Sequence, residues 1–160
     1  MRTPELESKL VKWFDPRRQL IVPNVSWGWG LTYEVDLVVV RPSGYAIEVE
    51  LKISRADVRK DQEKRKWLPG HDGHHGDRFR ESWFAVPEKL QDFALANIPA
   101  HCGLIVVPED SYPCIRVVRK AKLNTKAKPL TEKEEIALLR LAAIRMWTLK
   151  HHRAKSINRA

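Results

Sequence analysis

The chain has 160 residues, 43% of them hydrophobic, with 29 Lys and Arg against 20 Asp and Glu, a formal net charge of +9. That is enough apolar material for one folded domain with a real core, and the basic balance favours an anionic partner, most often nucleic acid. Cys102 and Cys114, twelve apart with no second pair, exclude a disulfide scaffold and a CxxC-type zinc site; the absence of an apolar run of ~18 residues and of a signal-peptide core leads us to expect a cytoplasmic protein that does not partner a membrane.

Pro4 to Phe14 reads as a first helix, with Thr3 as its N-cap and Pro4 in the first turn. Leu6, Leu10, Trp13 and Phe14 form its apolar stripe. Glu5 and Glu7 fall in the first turn, where the helix dipole favours carboxylates. Asp15-Pro16 breaks the helix, and Gln19 to Gly30 reads as a strand interrupted at Pro23, hence bulged or at a sheet edge. Trp27 and Trp29, flanked by glycines, suit either base stacking or packing beside the next strands; packing is expected.

Tyr33 to Ser54 reads as a hairpin. Val35, Leu37 and Val39 alternate with Glu34 and Asp36, while Ile47, Val49, Leu51 and Ile53 alternate with Glu48, Glu50 and Lys52. Arg41-Pro-Ser-Gly-Tyr45 suits a three-residue loop with Gly44 in the left-handed region. Pairing Arg41 with Tyr45 sets Asp36 opposite Glu50, Glu34 opposite Lys52 and Val38 opposite Glu48, with opposed Cβ atoms ~4.5–5.5 Å apart. Carboxylates so placed repel one another unless a cation lies between them, and Mg²⁺ is held by one or two carboxylates, waters and phosphates. Lys52 would then stabilise charge on a phosphate under attack. An ordinary solvated polar face also explains the alternation, but not why that face is so acidic around a single lysine.

Asp36, thirteen residues, then Glu50-Leu-Lys52 resembles the signature of the PD-(D/E)XK nuclease superfamily. Glu48 to Asp57 with Asp61 and Lys64, Ser82 to Pro87, and Gly103 to Val107 are similar to the MmcB-like DNA-repair endonucleases. The resemblance spans residues 30 to 108 or so. It implies a restriction-endonuclease-like αβββαβ sandwich around a mixed sheet. It further implies Asp36 and Glu50 as metal ligands, Lys52 as the catalytic lysine, and a further acid from the first helix, Glu5 or Glu7. Glu48, on the same face, is a further candidate metal ligand, and Glu34 is a candidate additional acid. Residues 1–120 would form this domain, 121–130 a basic linker, and 131–160 a C-terminal helix and basic tail.

Ser54 is placed to cap a charged helix from Arg55 to Trp67, which ends at Pro69-Gly70. Arg55, Arg59, Lys60 and Lys64 on it are candidate phosphate contacts, against the alternative of a solvated face. His71 to Asp77 is polar and Gly-rich; without a neighbouring cysteine it suits a mobile loop over substrate better than a zinc site. Phe79 to Pro87 reads as a strand, Glu88 to Ala96 as a short helix, Gly103 to Pro108 as a buried strand and Cys114 to Arg119 as an exposed one. Thr131 and Glu134 have capping-box spacing ahead of a helix to about Lys150. Ile136, Leu139, Ala143 and Met146 are its expected packing stripe, for the core or for a homodimer. Lys150 and Arg153, in a basic tail, are candidate contacts to a nucleic-acid backbone.

Two functions from different classes follow. The first is a Mg²⁺-dependent DNA endonuclease (Mn²⁺ as an alternative ion) of repair or recombination, with Asp36, Glu50 and Lys52 at its centre. The second is a nucleic-acid-binding accessory protein of the same fold without turnover. A zinc-dependent regulator using the histidine loop has the least support.

Overall fold

The structure, a computed structural model, describes residues 1–26, 29, 31, 33–62, 76–109 and 115–157. Its elements run α1 (Thr3–Phe14), β1 (Leu20–Val25), β2 (Val35–Val40), β3 (Ala46–Leu51), α2 (Arg55–Gln62), β4 (Phe79–Pro87), a 3₁₀ turn (Glu88–Leu90), α3 (Gln91–Asn97), β5 (Gly103–Val107), β6 (Arg116–Arg119) and α4 (Glu132–Ile157). The strands form one mixed sheet in the order β1-β2-β3-β4-β5-β6. β3, β4 and β5 are parallel, and the pairs β1–β2, β2–β3 and β5–β6 are antiparallel.

The hairpin has the register that its two arms dictate. Leu37 faces Val49 and Val38 faces Glu48, and the Arg41 N–H donates to the Tyr45 carbonyl at 3.0 Å. Gly44 has φ 81°, which a residue with a Cβ adopts only at a cost. Pro23 takes its place on the edge strand β1, opposite Leu37, where its missing N–H breaks no ladder on the open side.

Both faces of the sheet are covered. Odd-numbered residues of β2 to β5, among them Leu37, Val49, Trp83 and Ile105, pack under Leu6, Leu10 and Phe14 of α1. Each fully buried leucine or phenylalanine there is worth about 1.5–3 kcal/mol of apolar transfer. On the other face, Val58 of α2 and Ala94 of α3 lie on Phe84, Val86, Leu104 and Val106. Leu138 of α4 covers Val22, Val38, Val40 and Phe79 beside β1. Trp29 belongs to this second core, 4% exposed, with its indole N–H donating to the Glu134 carbonyl at 3.2 Å. Packing rather than stacking is therefore its role, whereas Trp27 lies outside the described residues. Gly103 has no room for a side chain, since an added Cβ would meet the Trp83 ring at 2.2 Å.

Several local expectations are corrected. The cap of α1 is Arg2 rather than Thr3, and the Glu5 carboxylate accepts the Arg2 N–H at 2.7 Å. α4 continues to Ile157, so residues 150–157 are helix rather than tail. Its packing face is Ala137, Leu138, Leu141 and Ala142; Ile136, Leu139 and Met146 are 39%, 53% and 45% exposed, and Ala143 is exposed too. Between Ile136 and Leu149 apolar residues fall on several sides of the helix, so spacing alone does not say which side finds the sheet. Residues 121–130 are bound down rather than loose. Asn124 donates from its side chain to the Gly76 and Phe79 carbonyls, and Leu130 N–H donates to the Gly44 carbonyl. No helix among the described residues is long and apolar enough to cross a membrane.

The capping box of α4 is present: Thr131 N–H and hydroxyl both donate to Glu134, which also pairs with Arg78. Burial pushes the Glu134 carboxyl up, but Thr131 and the Arg78 guanidinium outweigh it and hold it below the usual range. Glu134→Ala should cost about 1–2 kcal/mol at neutral pH by urea unfolding. A carboxylate lowered in the folded state stabilises above its unfolded pKa and stops doing so as pH falls through its folded value. The gap between parent and variant should therefore close on acidification; a gap independent of pH would mean that the carboxylate contributes only packing.

Candidate active site

The acidic face of the hairpin is buried along its second arm. Glu48 and Glu50 of β3 are 0% and 1% exposed and Lys52, just beyond the strand, is 7% exposed. A solvated polar face is thereby excluded. Burying charge is costly unless the charges are paired and hydrogen-bonded, so the partners of each group carry the chemistry.

Lys52 is the centre. Its backbone N–H donates to the Ala85 carbonyl at 3.0 Å, which continues the β3–β4 ladder and fixes where the side chain leaves the sheet. Its Nζ lies 2.7 Å from Glu50 Oε2, 3.1 Å from Asp61 Oδ1 and 3.6 Å from Asp36 Oδ2. Burial pulls the Lys52 ammonium down, but the charges of Glu50, Asp61 and Asp36 more than offset that and raise its pKa above the ordinary lysine value. Lys52 is thus a firm cation rather than a free amine. Asp36, at the start of β2, also accepts the Leu51 N–H at 2.7 Å, which ties it to the end of β3 where the chain turns into α2.

Asp61 is the residue that sequence reasoning did not place here. It is 2% exposed and sits one turn after Val58, on the face of α2 that packs against Phe84. Ser54 secures that helix, accepting the Asp57 N–H at 3.1 Å and donating its own hydroxyl to the Asp57 carboxylate at 2.7 Å. The available signal was the i, i+3 spacing of an acid from the one apolar residue in the middle of a charged helix.

The remaining acids divide. Glu48 is turned to hydroxyls, accepting from Tyr33 at 2.9 Å and Ser82 at 2.7 Å. Glu5 is exposed and spends its carboxylate on the Arg2 cap. Glu7 is the acid of α1 that senses the site: burial, then the Asp36 charge, raise its carboxyl above the usual range. Glu34 is exposed and lies before β2 begins, so it has no strand partner opposite Lys52.

An open cleft of about 390 Å³ lies over this cluster, lined by Thr3, Asp36, Lys52, Ile53, Lys60 and Asp61 among others. It sits at the carboxyl end of β3, the usual place for a ligand on an open α/β sheet. Among the basic candidates Lys60 reaches the cleft, while Arg55 and Arg59 lie over the Phe93 ring of α3, 5.2 and 5.3 Å from its centroid. Lys150 and Arg153 are exposed on the distal half of α4, with Lys150 5.0 Å above the Trp147 ring. Lys64, Cys114 and the histidine loop from His71 to His75 lie outside the described residues.

Among the described residues, no group of three or more His, Cys, Asp or Glu side chains is gathered as a ready ligand set. Mg²⁺ does not require one, since two carboxylates with waters and substrate phosphate suffice. Asp36 and Glu50, which share Lys52, are such a pair.

No family model and no curated protein matches the chain. Among solved structures, the SPO1766 protein of unknown function from Silicibacter pomeroyi is similar, with a TM-score of 0.60 and 19% identity over 99% of this chain and 92% of that one. At that identity the likeness extends to the fold alone.

Proposed function

We propose that the protein is a Mg²⁺-dependent deoxyribonuclease with a restriction-endonuclease-like fold, accepting Mn²⁺ as well, that hydrolyses phosphodiester bonds in DNA repair or recombination. The observation that carries this reading is the cluster in which the buried Lys52 pairs with the buried Glu50 and the partly exposed Asp36, with Asp36 and Lys52 lining a cleft at a strand end. Carboxylates retained in a low-dielectric site around one lysine are costly for stability, and such arrangements cluster at functional sites. Asp36 and Glu50 would hold the ion, which when bound neutralises phosphate charge and activates water. The Lys52 ammonium, already oriented and desolvated, stabilises the charge growing on the phosphate. Glu48, held by Tyr33 and Ser82, stiffens the strand that carries Glu50 rather than joining the ligands. Lys60 at the cleft and Lys150 and Arg153 on α4 supply backbone contacts that give affinity without sequence information.

The deciding experiment is incubation with single-stranded, duplex, flapped and branched DNA in Mg²⁺, Mn²⁺ or EDTA. Cleavage that requires the ion supports the reading. Binding without cleavage in every arm gives way to a non-catalytic accessory protein. The outer basic residues have their own test. Neutralising Lys150 and Arg153 together should weaken binding to all DNA sequences alike. It should also flatten the slope of log affinity against log salt by roughly 0.9 for each phosphate that is no longer neutralised. An unchanged slope would remove α4 from the interface.

A further inference from the structure

We propose that Asp61 is a positioning residue that retains the Lys52 ammonium when Asp36 and Glu50 turn to a divalent cation. This rests on the metal-dependent reading above. Lys52 touches three carboxylates, with Nζ 2.7 Å from Glu50, 3.1 Å from Asp61 and 3.6 Å from Asp36. Two of the three are the pair suited to a metal ion. A cation that takes Glu50 and Asp36 therefore removes two partners of a buried ammonium and repels it as well. Lysine has a long, flexible stem, and the cleft beside it is open; with nothing else to hold it, the ammonium would swing outward and lose its place beside the phosphate.

Asp61 prevents this. It is 2% exposed and belongs to α2 rather than to the hairpin, and Val58, one turn earlier, anchors that helix on Phe84. It is therefore held by a different element from the one that presents Glu50, and does not turn with it. Charge makes the same point. Three carboxylates balance one divalent ion plus one ammonium, whereas Asp36 and Glu50 alone would leave an excess positive charge and eject the lysine. Asp61 thus touches Lys52 and not the reacting atoms.

The test reads the position of Lys52, independently of cleavage. Mg²⁺ and Mn²⁺ binding is first established by calorimetry on the parent and on Asp61→Asn and Asp61→Glu. Each protein is then treated with an amine-acylating reagent in EDTA and at saturating metal, and labelling at Lys52 is followed by mass spectrometry against exposed lysines. In the parent, Lys52 should stay protected in both conditions. In Asp61→Asn it should stay protected in EDTA, held by Glu50 and Asp36, and label roughly 10–100-fold faster with metal, the scale of losing one close ion-pair partner, about 1.4–2.7 kcal/mol. Asp61→Glu should restore protection, which a merely structural role for Asp61 does not predict. Labelling of parent Lys52 on adding metal overturns the proposal, and that arm decides even if Asp61→Asn fails to fold. Continued protection in metal-bound Asp61→Asn overturns it too. Metal binding accompanied by either overturning result would remove Asp61 alone from the account, whereas a parent that binds no divalent ion would remove the metal-dependent reading together with this one.

Discussion

Replacing Lys52 with methionine should destabilise the metal-free protein by about 3–5 kcal/mol, the cost of removing one partner from a buried ion cluster. The side chain lost is small in volume terms, and methionine keeps most of its length. What is left is the problem: Glu50 at 1% exposure and Asp61 at 2%, with Asp36 beside them and no cation between. The effect should depend on conditions in two ways. Acidification should narrow the gap, because protonating the stranded carboxyls relieves their repulsion. The parent's own contribution from Lys52 does not change there: its pKa is raised on folding, so its stabilisation is complete below the unfolded lysine value and is lost only as pH rises past the folded one. Divalent ions should stabilise both proteins and narrow the gap only as far as the variant, freed of the competing ammonium, binds them more tightly, by about 1.4 kcal/mol for each tenfold in affinity. Urea unfolding with EDTA and with Mg²⁺ or Mn²⁺ measures both. A variant as stable as the parent would show that the cluster is not a tightly coupled buried one, and a parent whose own stability divalent ions leave untouched would remove the metal.

How the hairpin became legible in the sequence, and how its surroundings did not, has a physical explanation. Period-two alternation and a glycine at the loop determine which residues share a face and which stand opposite, so the approach of Asp36 to Glu50 follows from residues 33 to 54 alone. Whether that face meets water depends on segments far away in the chain. α2 and α3 close over β4 and β5, and α4 closes over β1 and β2, which turns an amphipathic hairpin into one buried on both sides. Asp61 was hidden for a related reason. α2 is charged on every side, and only the packing of Val58 reveals which of its charges points inward. On α4 the difficulty is the reverse: Leu138, Leu139, Leu141 and Ile144 leave several apolar faces to choose from, and tertiary contact selects one. The choice between Glu5 and Glu7 turned on a single hydrogen bond, the cap to Arg2, which shifts with a one-residue change in where the helix begins.

Glu50→Gln and Lys52→Met should both abolish most cleavage while separating in metal binding. Glutamine keeps the shape of the Glu50 side chain but presents a neutral amide where a cation needs a carboxylate oxygen. Metal affinity and cleavage should therefore fall together, and Lys52, deprived of its 2.7 Å partner, should still be held by Asp61 and Asp36. Methionine at position 52 removes a positive charge from beside the same carboxylates, so metal affinity should hold or rise. Cleavage should nevertheless fall on the order of 10²–10³-fold, the loss that follows removal of one preorganised charge stabiliser. Because Lys52→Met is also expected to be the less stable protein, cleavage is to be measured at metal concentrations where its unfolding curve shows it folded. Calorimetric titration of Mg²⁺ and Mn²⁺ beside a single-turnover cleavage assay gives both quantities for each variant. A Lys52→Met protein that cuts at the parental rate would show that the ammonium serves only as the counter-ion of the empty site. A Glu50→Gln protein that binds metal as tightly as the parent would move the ion to other ligands, with Glu7 and Asp36, whose charges already sense one another, the first pair to examine.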